Sequence, residues 1–418
     1  MMIRDRERGV IFILTVLFIC IFFLLTVPFL LRLTSQFRLT EKSYKSLSAL
    51  NLAEAGVERA IWELNFGDMA SWEGDDTERH TIIPSMQTSG GEDAGDVEIW
   101  VKDPMSENPV IIAKGSVLFT GTRRVEKTIR IVLAYEFESF FNFGIFGDEG
   151  FDLHGNAYTD SYNSTLGPYD PFNAGSYGDV GTNASDIGDV VLLNNTVING
   201  NVLTGYESDP ELVVRLRNNA SITGVKAALD EPKQLPAYVP PETLSNRGDF
   251  YLRTGSPDVV ITESGLYSSF ILEPNTDVTI SGKVTLYVNG TFQMDSNTSL
   301  NITPGSQVEI ILGNGVFQQD SNSAINNLTQ SPKSLAILGT SEFRSMIWRS
   351  NSEFYGVIYV PKATVNYYSN YDFFGSIACN YLSLSSQSGI HYDESLGTWK
   401  KYGVKSDSYV VKSWQQIF

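Results

Sequence analysis

The chain has 418 residues, 42% hydrophobic and 12% aromatic, ample for packed cores and too long for one small domain. Its formal charge of −18 excludes broad nucleic-acid binding, because neutralising phosphates takes clustered Lys and Arg, and the group Lys400, Lys401, Lys405 and Lys412 reads as a solvated tail. Cys20 lies in an apolar run and Cys379 stands alone in the remainder, so no intrachain disulfide is expected and stability must come from packing.

A charged leader, RDRERG at residues 4–9, precedes a run from Val10 to Leu31 without a charged residue. At ~1.5 Å per residue that run spans ~33 Å, enough to cross a hydrocarbon core. Pro28, Phe29, Leu30, Leu31 and Arg32 stand where a secretory signal would carry small residues at a cleavage site, so the segment is expected to be retained. Arg4, Arg6 and Arg8 before the span are balanced by Arg32, Arg38, Lys42 and Lys45 after it, and charge alone gives no orientation.

The helical pattern continues past the span. Leu33, Phe37, Thr40, Tyr44 and Leu47 recur at steps of four and three, and Leu50, Ala53, Val57, Ala60 and Leu64 follow after a slip of one position. The pattern predicts one helix over 10–65, on the order of 80 Å long. Ala53, Ala55, Gly56 and Ala60 keep its outer half thin; Gly56 costs ~1 kcal/mol relative to Ala there, which close approach of another element would explain.

At these residues the chain resembles a known family. Arg8-Gly9 before the apolar run looks like a prepilin peptidase site, with Val10 as the first mature residue. ALNLAEAGVERAIWEL at 49–64, centred on Ala53, Glu54, Ala55 and Gly56, is similar to the helix signature of PilX-like minor pilins of type IV pili. The resemblance covers about the first 65 residues. It implies a leader (1–9) in the cytoplasm, a single pass through the bacterial inner membrane, an extracytoplasmic remainder, and assembly into a pilus at the cell surface. Major pilins of this kind carry a glutamate five residues after the cut, whereas this chain has Leu14 there. A carboxylate at that depth would compensate a neighbouring subunit's terminal amine. Its absence implies a rare subunit at the tip or in assembly initiation, in a pilus or a related secretion filament.

Residues 66–140 read as a small β-rich unit, with β-branched runs at 97–102, 110–120 and 124–134 separated by turn signals. Packing that sheet on the outer half of the long helix buries both apolar faces and gives a pilin-like α/β arrangement.

From 141 to 396 the composition shifts to short β runs broken by Asn-Gly, Ser-Gly and Gly-Asn. NGTFQMDSNTSLN at 289–301 repeats as NGVFQQDSNSAIN at 314–326, an offset of 25, and EFYGVIY at 353–359 repeats as DFFGSIA at 372–378, an offset of 19. Such periods point to a β-solenoid with aromatics inward and Asn and Ser at turns. A β-sandwich also suits the composition. HGNAYTDSYN (154–163), FYGVIYVPKATV (354–365) and IHYDESL (390–396) resemble motifs of a domain of unknown function attached to pilin-like N-termini, and that resemblance implies a right-handed parallel β-helix. EPKQLPAYVPP at 231–241 reads as a proline-rich excursion, and 397–418 as a C-terminal tail.

Catalytic signals are sparse. His80, His154 and His391 lack metal-ligand spacing, and no P-loop, nucleophile elbow or dinucleotide fingerprint is present. His391 and Asp393 share a strand face without a nucleophile, so the structural reading is preferred. Asp295 and Asp320 both sit in D-S-N-[ST], where an Asp opens an Asx-turn. Stacked on adjacent coils they would also have the spacing to share Ca²⁺ or to act as a retaining glycosidase pair; the turn reading leads, and no cofactor is expected.

The functional expectation is a non-enzymatic minor pilin or pseudopilin subunit displaying a β-solenoid for adhesion or surface interaction. Its partners are other pilins, pilus assembly proteins, the prepilin peptidase, the inner membrane, and an extracellular surface or glycan, with no nucleic acid. The alternative is a membrane-anchored carbohydrate-active β-helix enzyme.

Overall fold

The computed structural model describes residues 3–67, 69–87, 94–350, 352–385 and 387–417. A long N-terminal apolar helix is followed by a mainly β region, and the chain divides into two compact units, one of residues 1–136 with 405–418 and one of residues 137–404.

In the first unit a helix of 64 residues, Ile3–Phe66, rises ~96 Å. It begins earlier than the apolar run because Arg6, Glu7 and Arg8 in the leader are good helix formers. Its stretch from Leu14 onward contains a segment long and apolar enough to cross a membrane, none of it buried within the protein. The following half is different. Ala49, Leu52, Ala53, Val57 and Ala60 are buried against Val97, Ile99, Ile111, Ala113 and Val117.

The sheet runs Glu73–Gly74, Glu78–Gln87, Ala94–Lys102, Val110–Thr120, Arg123–Ser139 and Gly403–Ile417, the first five strands pairing antiparallel. The strands expected at 97–102, 110–120 and 124–134 are therefore present, the second with the expected bounds and the first and third longer than their β-branched cores. The last strand differs from the tail expected at 397–418. Asn65 at the helix end donates from its side-chain amide to the Tyr409 carbonyl (3.3 Å) and accepts from the Tyr409 amide (2.7 Å). Tyr409 stacks on Tyr135 with ring centroids 4.1 Å apart. Tyr409, buried within a lysine-rich stretch, thus ties this strand to the helix end and to the neighbouring strand.

The second unit is built of short strands that pair in parallel, which excludes the β-sandwich. One continuous column passes through Phe250, Phe270, Phe292, Phe317, Met346, Val365, Leu382, Phe151, Val190 and Val214, each paired with the next. A second column joins strands such as Lys283–Val288, Gln307–Leu312 and Leu335–Gly339, and a third joins Val259–Ile261, Asp277–Ile280, Ser299–Ile302 and Ala324–Asn327. Side chains alternate inward and outward along each short strand, so every turn of chain adds a layer to one enclosed core.

The 25-residue repeat sits in this register. Phe292 pairs with Phe317 and Leu300 with Ile325, all of them buried. Phe250, Phe270, Phe292, Phe317 and Trp348 form a stack with successive centroid distances of 4.4, 5.2, 5.0 and 5.4 Å and interplanar angles of 10°, 6°, 9° and 11°. At the corners Asn275, Asn297 and Asn322 take φ of 62°, 60° and 63°. Asparagine tolerates this left-handed region, and Asn297 donates to the Asn275 side-chain oxygen at 3.3 Å, so the corner residues form a ladder of their own. A matching ladder links Asn195 to Asn156 (2.8 Å) and Asn219 to Asn195 (3.3 Å).

The order of layers is not the order of the chain. Phe151, from the first strand of the unit, lies within the column between Leu382 and Val190. The chain enters inside the column, two layers from Val214, builds to that end, restarts at Phe250 at the other end, and closes back on its own beginning. The proline-rich residues 231–241 make the crossing as a strap along the outside of the layers. The Tyr238 amide donates to the Gly339 carbonyl (3.1 Å), and the Tyr359 hydroxyl donates to the Pro236 carbonyl (2.6 Å). Lys233, its side chain 4% exposed, donates to Glu138 at 2.6 Å. Burial pulls the Lys233 ammonium's pKa below the usual lysine range, and the Glu138 carboxylate opposes that shift.

Candidate functional site: an aromatic groove beside the closing layer

The layer where the chain meets its own beginning gathers the motifs at 154–163, 354–365 and 390–396. On its outward row Tyr355 pairs with Phe374, Phe374 with His391, and His391 with Asp160. The rings stack at 4.3 Å (Tyr355 to Phe374, 6°) and 4.6 Å (Phe374 to His391, 22°). Tyr169 packs against both rings, 3.9 Å from His391 and 5.3 Å from Phe374, and donates its hydroxyl to Asp160 Oδ2 at 2.7 Å.

His391 is fully buried. Its Nδ1 lies 2.6 Å from Asp160 Oδ1, and its Nε2 faces Asp372 Oδ2 at 3.5 Å, an ion-pair distance outside good hydrogen-bond geometry. Burial disfavours the imidazolium, but the two aspartates outweigh it and hold the His391 pKa above its ordinary value. Burial would raise Asp372, yet contact with His391 and the Gly389 amide leaves it below the carboxylate norm. Asp393, which shares the strand with His391, does not pair with it, and its contacts are structural. Its Oδ1 accepts from the Ser395 amide (3.1 Å) and the Ser164 amide (3.0 Å), capping the short helical turn Glu394–Leu396. The cluster is a clasp between first and last layers.

Beside it open two adjoining cavities. The larger, about 640 Å³, is lined by Tyr162, Tyr169, Tyr355 and Phe374 together with Ser164, Thr329, Gln330, Ser331 and Glu353. The second, about 450 Å³, shares Gln330, Glu353 and Tyr355 and adds Asn326, Asn327 and Tyr371. Tyr355 donates its hydroxyl to Glu353 at 3.1 Å, and burial with that carboxylate keeps the phenol protonated well beyond the neutral range. Tyr162 is 8% exposed, and its buried hydroxyl has no hydrogen-bond partner among the described residues.

Sequence reasoning missed this groove because its residue types are ordinary. The 19-residue repeat held the signal, since it aligns Tyr355 with Phe374. The other candidates lie elsewhere. Arg8, Gly9 and Val10 fall within the N-terminal helix, and their side chains lie outside the described residues. In the helix signature Ala53 and Gly56 are buried, Ala55 is half-buried and Glu54 is exposed. A Cβ on Gly56 would stand 2.5 Å from Val97 Cγ1, so the glycine does serve a close approach.

Asp295 and Asp320 occupy equivalent corners, one residue beyond the paired Met294 and Gln319. Each carbonyl accepts a hydroxyl three residues on, from Thr298 (2.8 Å) and Ser323 (2.5 Å), and each side chain meets its own strand's glutamine, Gln293 (2.6 Å) or Gln318 (3.4 Å). Among the described residues no group of three or more His, Cys, Asp or Glu side chains is placed to hold a metal ion.

A protein-family profile described as a domain of unknown function (DUF7305) matches residues 256–399, about the second half of the layered unit. No curated protein matches the chain closely enough to count as a relative. Among solved structures, the competence-associated pilin ComZ from Thermus thermophilus aligns over 89% of this chain and 97% of its own at 13% identity, with a TM-score of 0.24. A glycosylated ice-binding protein from an Arctic yeast aligns over 61% of this chain and 94% of its own at 11% identity, TM-score 0.25. An ice-binding protein domain from Shewanella frigidimarina aligns over 61% and 95% at 13% identity, TM-score 0.25. Scores this low carry no argument about fold or role, and the reading of this chain rests on its own residues.

Proposed function

We propose that the protein is a PilX-like minor pilin or pseudopilin subunit of a type IV pilus or related secretion filament. Its N-terminal helix anchors it in the inner membrane and then in the filament, and its layered unit, read as a right-handed parallel β-helix, is displayed outside at a tip or initiation complex. The role is interaction with a surface rather than catalysis. One observation carries the reading: a single helix pairs an uncovered apolar half with a small-residue half docked on a sheet. Leu17, Phe18, Phe22, Phe23, Leu24 and Leu25 are all exposed, and an apolar surface of this length needs lipid or neighbouring helices around it. The parallel, in-register pairing of Phe270, Phe292, Phe317 and Met346 on successive strands of the second unit supports the β-helix reading.

N-terminal sequencing of the protein from membrane and sheared-filament fractions tests this. The mature chain is expected to begin at Val10, and a bulky residue in place of Gly9 should leave the precursor uncut in the membrane. An intact leader in the wild-type protein would remove the pilin reading. The tip or initiation role is read by quantitative mass spectrometry of filaments, where abundance comparable to the main subunit would defeat it.

A further inference from the structure

We infer that the paired cavities around Tyr355 form a binding groove for a neutral oligosaccharide longer than a disaccharide. The inference deepens the display reading above and rests on it.

The chemistry of the walls selects the ligand. No Lys, Arg or His lines either cavity among the described residues, and Glu353 places a carboxylate where they join, so phosphate, sulfate and carboxylate ligands find no counter-charge. The remaining polar groups are hydroxyls and amides, which both donate and accept, as the hydroxyls of a sugar do. Aromatic rings supply the other requirement, an apolar surface for a sugar's C–H face. Phe374 covers one face of Tyr355, and the rest of that half-buried ring borders both cavities, with Tyr371 farther along.

Two further observations narrow the choice. Tyr162 lines the larger cavity, and its buried hydroxyl has no partner among the described residues, a donor left unsatisfied unless the site rearranges to bring it a ligand acceptor or water. A peptide adding as a strand would need an open backbone edge, but the Tyr355 carbonyl already accepts the Asn327 side-chain amide at 2.8 Å. Each volume falls in the roughly 300–1,000 Å³ range of small-ligand sites, and their shared wall makes the groove longer than one sugar ring needs.

The test uses the full chain in glycolipid-free nanodiscs, since sugar-based detergents would compete. An array of neutral hexasaccharides, including β-1,4-linked glucose and N-acetylglucosamine, is probed alongside sulfated glycans and extended peptides. The best neutral binder is then titrated calorimetrically. The hexasaccharide should bind more tightly than its disaccharide by about tenfold, and Tyr355→Ala should weaken it by about tenfold, the size of one aromatic contact. Gln330→Ala, at an exposed side chain, gives a second weakened variant should Tyr355→Ala fold poorly, and Tyr251→Ala, outside the groove, should bind as wild type. Binding to no neutral hexasaccharide, a preference for sulfated glycans or peptides, or binding unchanged in both groove variants overturns the inference. Wild-type protein recovered in filaments without sugar binding would sink the groove alone, whereas sugar binding by a chain absent from filaments would sink the pilin reading alone.

Discussion

The two units hold themselves together in opposite ways. In the first, the helix and sheet meet through small residues: Gly56 lies against Val97, and a Cβ on Gly115 would come within 2.1 Å of the Ala49 carbonyl oxygen. In the second, large rings repeat in register, and Phe270, Phe292 and Phe317 stack near-parallel through the column. The first unit therefore tolerates no added volume at its seam, and the second no lost volume in its column. Substitutions of opposite sense probe that contrast.

The largest effect is expected in the column. Phe292→Ala or Phe317→Ala should destabilise the second unit by ~3–5 kcal/mol through lost burial and the cavity left behind. Denaturant melts of the full chain in detergent measure it; a chain starting at Phe66 would lack the buried helix residues Ala49–Ala60. Losses under ~1 kcal/mol at both positions would mean the column collapses around the gap, against its tight stacking.

Next comes the seam. Gly56→Ala should gain ~1 kcal/mol of helix propensity and lose ~1–3 kcal/mol to overpacking, because β-branched Val97 cannot swing aside. The net effect is destabilising, and adding Val97→Ala should recover part of the loss. A double-mutant cycle without coupling would show that the two sites do not share a seam.

Corner positions should respond less. Asn297→Ala puts a residue without a local hydrogen bond at φ near 60° and is expected to cost ~1–2 kcal/mol, while Asn297→Gly should cost less. Equal effects would assign the stability to the asparagine ladder rather than to backbone conformation.

The smallest effect is the pH response of the clasp. Folding raises the His391 pKa, so its contribution is complete below the unfolded value of ~6.5 and is lost as pH climbs through the folded value. Asp372 has the opposite sign: its lowered pKa gives stability above its unfolded value that disappears as pH falls through the folded one. Asp160, Tyr158 and Tyr169 are the other titratable groups packed on the imidazole. Burial pushes Tyr158 up to about 12, so it stays neutral across this range. Melting temperature should therefore fall as pH rises above ~6.5, and His391→Gln should flatten that slope. Identical slopes would mean that the buried imidazole carries no charge.

Patterns that repeat along the chain were legible before any coordinates. The apolar run, the thin Ala and Gly face, the β-branched strands and the 25- and 19-residue repeats each reflect a local period that burial imposes on neighbouring residues, and the helix, the small sheet and the stacked Phe292 and Phe317 follow from them. What tertiary structure alone decided is where distant segments meet. The strand Gly403–Ile417 joins the first sheet through Tyr409 and Asn65, 344 positions apart. The proline-rich strap lets the last layers close on the first. That closure brings His391 to Asp160 and leaves Asp393 to a cap. It also sets Tyr162 and Tyr169 beside Tyr355 and Phe374, and no period in the sequence encodes that juxtaposition, because it depends on which layer the chain enters first.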